Sequence, residues 1–244
     1  ANDILVQDFG AVGDGTTDDT SAILSALTAG DTQEKNVIFE SGKTYLTDPI
    51  VIDGTNGICP PAILGYDVVL KARSGSTPLV TLKNIYASSA WKSGFEFRGF
   101  TLNCANILST GLLVEGAQHM LVQDVHVYDT TSGSYAIRVI GGPGAGIYYN
   151  SFNRCTAGKP ANPNRGGGWE VATDDAAPDG NYVGNNTFNA CNAQANEGHG
   201  WRINWSQNTY VGCNAEKNDG YGWDIDVSYS NTFSGGYSEN NHKN

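Results

Sequence analysis

The chain has 244 residues, a net charge of −11, 31 glycines and 8 prolines. That acidity argues against a nucleic-acid backbone binder, which needs clustered Lys and Arg, and no apolar run approaches the ~18 residues of a membrane span. A polyanionic partner would need a local basic patch. Many Gly, Asn and Thr with few helix-forming charged residues favour strands and turns. Cys59, Cys104, Cys155, Cys191 and Cys213 are odd in number and widely spaced. They fit neither a disulfide framework nor a zinc site and read as free, buried thiols.

In chain order, residues 4–9 (ILVQDF) read as a strand and residues 10–16 (GAVGDGT) as a turn. A helix then spans residues 17–30, with Ile23, Leu24 and Leu27 on one apolar face, Thr17 or Asp18 as N-cap and Gly30 as the stop. Acidic residues suit the first turn of a helix, so Asp18 and Asp19 read as helix starters rather than catalysts.

The stretch V-x-D-F-G-A-x-G-D-G-x-x-D-D-T-x-A-I at residues 6–23 resembles the opening signature of the pectate-lyase-like superfamily, which includes polygalacturonases and many phage tailspikes. The next stretch, VIFESGKTYLTDPIVI at residues 37–52, is similar to the family's first coil. The resemblance implies a right-handed parallel β-helix whose N-terminal end is capped by a strand and a short helix. It fixes no single reaction, because the family spans several chemistries.

An internal repeat gives the same fold independently. NTFNACNAQANEGHGWRI, NTYVGCNAEKNDGYGWDI and NTFSGGYSENN place Phe188, Tyr210 and Phe233 22 and 23 residues apart, a solenoid period. Backwards through insertions, one lane reads Phe97, Val122, Phe152, Phe188, Tyr210, Phe233. A second reads Phe100, Val125, Cys155, Cys191, Cys213, Gly236, and a third Leu112, Ile137, Trp169, Trp201, Trp223. Coils stack about 4.8 Å apart, so equivalent side chains touch. The tryptophans share a lane with Leu112 and Ile137 and therefore read as core rather than a sugar-stacking platform. Asn150, Asn186, Asn208 and Asn231, and again Asn196, Asn218 and Asn241, read as stacked structural amides. The whole chain is one β-helix domain: residues 1–30 the capping strand and helix, 31–92 irregular first coils, 93–244 regular coils. The repeat stays in register to the last residues, which suggests a piece of a longer protein or an end covered by a partner.

Strand neighbours alternate in and out, so the lane beside the tryptophans points outward: Leu113, Arg138, Glu170, Arg202, Asp224. Next to it run Glu115, Ile140, Ala172, Asn204, Asp226. One reading is a solvated salt-bridge ladder, which adds little stability. The other is a polysaccharide site: Glu170 and Asp224, two coils apart, as the carboxylate pair of glycosidic hydrolysis, with Arg202, Arg138 and Asp226 contacting the sugar. Two insertions flank this face, residues 156–168 and 173–185, the second holding Asp174 and Asp175 as alternative catalytic carboxylates.

Polygalacturonases carry an Asp-Asp pair, then Gly-His-Gly, then Arg-Ile-Lys in a further coil. Here Asp174-Asp175 and the His199 of GHG resemble the first two parts. Arg202 follows His199 too closely, Asn204 replaces the lysine, and no Asn-Thr-Asp precedes the pair, which puts that assignment in doubt and leaves His199 as a substrate contact. No cofactor is expected for a hydrolase. A lyase would bring Ca²⁺, with Asp174, Asp175 and Asp179 as candidate ligands. Within the resemblance the chain is most like the β-helix part of a phage tailspike: a homotrimer on a virion tail, or an extracellular protein, that binds and cleaves bacterial surface glycan. The rivals are a non-catalytic carbohydrate-binding or structural virion module, and a secreted pectinase.

Overall fold

A computed structural model describes residues 3–55, 57–76, 78–85, 94–141, 146–173, 182–204, 207–226 and 230–243. Parallel strands stack in register through most of this length. Each regular coil contributes three strands. The first sheet stacks Leu121–Gln123, Ser151–Asn153, Thr187–Asn189, Thr209–Val211 and Thr232–Ser234. The second stacks His126–Tyr128, Thr156–Ala157, Asn192–Gln194, Asn214–Glu216 and Tyr237–Glu239. The third stacks Leu112–Ala117, Tyr135–Gly141, Gly167–Thr173, Trp201–Asn204 and Trp223–Ile225. The fold is thus an all-β parallel β-helix with an N-terminal helix.

The first and third lanes are pairing registers. Phe97, Val122, Phe152, Phe188, Tyr210 and Phe233 pair successively, as do Leu112, Ile137, Trp169, Trp201 and Trp223. Stacked rings build two internal columns, with Trp169 and Trp201 centred 4.7 Å apart and Phe188 and Tyr210 4.9 Å apart. The columns meet edge to face, Trp201 against Phe188 at 6.0 Å, the favoured aromatic geometry.

The second lane exists because of the corner before it. Asp124, Arg154, Ala190, Gly212 and Gly235 all take positive φ there. One left-handed residue per coil bends the chain sharply, and the next residue then turns inward. Cys155, Cys191 and Cys213 are buried free thiols whose S–H groups donate to the carbonyls of Val122, Phe152 and Phe188 one coil below. Burial pushes the Cys104 thiol up to about 12, and the Cys191 thiol also sits well above its usual range. Thiolate is the reactive form, so these cysteines should resist native labelling by a thiol reagent and react only on unfolding; rapid labelling of the native protein would refute the lane.

The asparagines cross-link coils. The Asn186 backbone N–H and Nδ2 both donate to Asn208 Oδ1, at 3.2 and 3.0 Å, and Nδ2 also donates to Ile147 O. Asn196 treats Asn218 and Ala157 in the same way. Asn164, hidden in the first insertion, belongs to this second column, donating to Asn196 Oδ1 at 2.9 Å. All are buried, where an unpaired amide would be costly. Two buried groups break the pattern, the Thr130 and Tyr210 hydroxyls, which have no hydrogen-bond partner among the described residues; the Tyr210 hydroxyl lies inside the phenylalanine column. Tyr210→Phe removes that stranded hydroxyl while keeping the ring stack. It should raise stability by about 1 kcal/mol, read as a higher urea midpoint at unchanged slope; a lower midpoint would mean the hydroxyl has a partner.

The N-terminal end departs from the expectations in four places, one of them the strand Asp14–Asp18 where residues 10–16 read as a turn. Residues 4–9 are a two-residue strand, Ile4–Leu5, followed by a 3₁₀ turn, Val6–Phe9. The helix runs Thr20–Gln33 with Asp19 at the N-cap position; Asp18, one residue earlier, still accepts the Thr20 N–H at 3.0 Å, and the helix continues past Gly30 to Glu34 in the left-handed conformation. The reason is the strand Asp14–Asp18, which pairs with Thr44–Thr47 and keeps the chain extended up to Asp19. Asp19 makes no capping bond. Its buried carboxylate instead accepts from the Val12 and Gly13 amides at 2.7 and 3.1 Å, pinning the loop over the helix start. Asp14 accepts from the Thr16 and Thr17 amides, which hold its carboxyl well below the usual range. Ala22, Ile23, Ala26 and Leu27 are buried in the capped end, whereas Leu24 is only half-buried.

Candidate functional site

The third sheet's outer surface carries the charged lane in register: Leu113, Arg138, Glu170, Arg202 and Asp224 pair in that order. Its strands hold the lane flat because Val139, Val171 and Ile203 point into the core with 0% exposure. Ile140 and Ala172 of the neighbouring lane are outward but buried, at 9% and 5% exposure. With Leu113, Glu115, Thr173 and Asn204 they complete a groove of about 310 Å³ around the three charged residues Arg138, Glu170 and Arg202. Asp226 is exposed just past the strand end, its N–H donating to Ile203 O.

Glu170 is the centre of the lane. Arg138 Nε donates to Glu170 Oε2 at 2.7 Å from the coil below, and Arg202 Nη1 to Oε1 at 3.5 Å from the coil above. Glu170 is 8% exposed, and both arginines keep over a third of their side chains in solvent. The charges therefore form an Arg–Glu–Arg clamp rather than a ladder alternating to the end. Asp224 lies beyond the clamp and makes no ion pair with Arg202; its Oδ2 instead faces His199 Nε2 at 4.0 Å. His199 is oriented twice over. Its ring stacks on Tyr221 at 5.2 Å, and Nδ1 accepts the Tyr221 N–H at 3.0 Å. With Nδ1 an acceptor, the neutral imidazole carries its proton on Nε2, toward Asp224.

Sequence reasoning missed Tyr135. Its strand pairs with the next through Tyr135 opposite Gly167, and the ring lies across that glycine: a Cβ there would sit 2.2 Å from two ring carbons. The phenol thereby lies near Arg202, two coils away; burial raises the phenol's pKa, and the guanidinium's charge works against that rise. The signal available in the sequence was a glycine in register with an aromatic residue.

Asp174, Asp175 and Asp179 lie outside the described residues. In the first insertion, Lys159 sits over the Tyr128 ring at 5.1 Å, away from the charged groove's lining. Among the described residues no cluster of three or more His, Cys, Asp or Glu could hold a metal ion, and no helix is long and apolar enough to cross a membrane.

No family model matches the sequence, and no curated protein matches it. Solved structures match the fold. Tailspike protein 3 of bacteriophage CBA120 has a TM-score of 0.59 at 15% identity, over 96% of this chain and 40% of its own. Geobacillus virus E2 ORF18 has a TM-score of 0.55 at 16% identity, over 98% of this chain and 60% of its own. The A-module of the Azotobacter vinelandii mannuronan C-5 epimerase AlgE6 has a TM-score of 0.52 at 16% identity, over 98% and 77%. The chain thus spans about 60% of the viral ORF18 protein and 40% of the tailspike. At these identities the likeness is one of fold, a parallel β-helix shared with phage and polysaccharide-modifying proteins.

Proposed function

We propose that the third-sheet groove binds an acidic polysaccharide and that Glu170 and Asp224 cleave it at a glycosidic bond. The observation that carries this is the pair of guanidinium groups, from Arg138 and Arg202, set one coil either side of a carboxylate on an otherwise acidic protein. Arginine's planar fork suits carboxylate recognition, and two of them, two coils apart, match carboxylates spaced along a sugar chain. Glu170 and Asp224, two strand steps of about 4.8 Å apart, stand near the upper end of the ~6.5–9.5 Å separation of inverting hydrolysis. Asp224 is the more open carboxylate, and the two together are the acid and base of the cleavage. Asp226, at the rim, contacts a neighbouring sugar.

A second reading, binding without cleavage, has its own support: both Glu170 oxygens are already taken by arginines. Release of reducing ends from acidic capsular polysaccharide by the wild type, lost in Glu170→Gln and Asp224→Asn, supports hydrolysis. Binding without any release supports the second reading. The tailspike likeness further supports assembly as a homotrimer on a virion tail. Light scattering should then give three times the 25.9 kDa chain mass; a stable monomer would refute it.

A further inference from the structure

The described residues hold a larger groove than the charged one, on a different face. It occupies about 710 Å³ at the corner between the first and second sheets, within the range of ligand-binding clefts. Its wall is an interruption in the long strand Ala62–Ala72, which pairs with Glu96–Asn103 in two segments whose register shifts between Leu64 and Val68. The residues left over, Gly65, Tyr66 and Asp67, bulge outward, and Tyr66 is 78% exposed.

The bulge is built rather than loose. Gly99 at φ +80° lies against it, and a Cβ there would stand 2.0 Å from Gly65 O, so only glycine lets the two chains meet. Asp67 takes φ 54° and its carbonyl accepts the Gly42 N–H at 3.1 Å. A large aromatic ring is therefore held in solvent at the mouth of a polar groove, with no core to serve.

Below it the groove presents Arg98, Thr101, Gln123, Asp124 and His126. Arg154 grips Asp124 with two bonds of 2.8 and 2.7 Å, fixing that carboxylate. Glu96 stands 3.7 Å from Arg98. His126 is exposed in this row, and a neutral imidazole both donates and accepts. The cations here, Arg98 and Arg154, are each matched by a carboxylate, unlike the two arginines that share Glu170. A flat ring above a row of donors and acceptors whose arginines are each paired with a carboxylate suits a ligand with an apolar face and many hydroxyls.

We infer that this corner groove is a second carbohydrate subsite, for a neutral, hydroxyl-rich glycan whose pyranose face stacks on Tyr66 while Arg98, Gln123 and His126 bond its hydroxyls. It goes beyond the reading of the charged groove and stands or falls separately. The test is affinity electrophoresis in gels cast with a panel of purified neutral O-antigen polysaccharides. At least one should retard the wild-type protein and Glu170→Gln equally. Tyr66→Ala should weaken that retardation about tenfold or more, and Tyr66→Phe should restore it, both at an unchanged melting temperature. Overturning results are no retardation by any neutral polysaccharide, or retardation of Tyr66→Ala equal to wild type. Loss of retardation in Glu170→Gln would also overturn it, assigning the binding to the charged groove.

Discussion

Trp201→Ala should cost about 3–5 kcal/mol of stability, the range for emptying a large aromatic site in a core. Trp201 is 0% exposed and lies between Trp169 at 4.7 Å and Trp223 at 5.0 Å, with Phe188 and Tyr210 edge-on. Its Nε1–H donates to Asn214 O at 2.9 Å, a bond that alanine would remove. In a solenoid each coil is supported by its neighbours, so the cavity weakens the coils above and below together. Trp223, only half-buried, should lose distinctly less on the same change. Urea unfolding of both variants checks this. A loss under about 1 kcal/mol for Trp201→Ala would mean that the tryptophan lane is not core.

That lane was readable from sequence for a physical reason. Coils stack in register, so a core position demands the same kind of side chain every coil, and Trp169, Trp201 and Trp223 or Phe152, Phe188 and Tyr210 repeat as a consequence. The same logic placed Arg138, Glu170, Arg202 and Asp224 on one outer lane. It could not say which neighbours would bond. Register fixes backbone spacing and leaves the rotamer free, so Asp224 faces His199 while Glu170 takes both arginines.

Contacts outside the repeat were less legible. Tyr135 reaches Arg202 across two coils, through the space that Gly167 leaves open. Tyr66 stands on a bulge that exists only because two strands of unequal length are paired. Asp19 sits at the start of the helix, as its motif implies, yet its carboxylate serves the preceding loop, because the strand Asp14–Asp18 delays the helix.

Glu170→Gln should lower glycan cleavage about 10²- to 10⁴-fold, the usual cost of losing a general acid or base. Stability should fall by about 1–3 kcal/mol, because Glu170 is buried and glutamine keeps one acceptor oxygen for two arginines that themselves reach solvent. Asp224→Asn should act similarly on rate, with the melting temperature unmoved. Wild-type cleavage rates in both variants would remove this face from catalysis.

The claim that the charged groove is the acidic-polysaccharide site is tested most directly by the arginine clamp itself. The Arg138→Ala/Arg202→Ala protein and the wild type would be run through gels containing acidic capsular polysaccharides, with polymer molar mass followed in parallel. The account predicts that at least one polymer retards the wild type and is shortened by it, and that the double variant, folded by its melting curve, does neither. Equal retardation and equal shortening by the two proteins would contradict it.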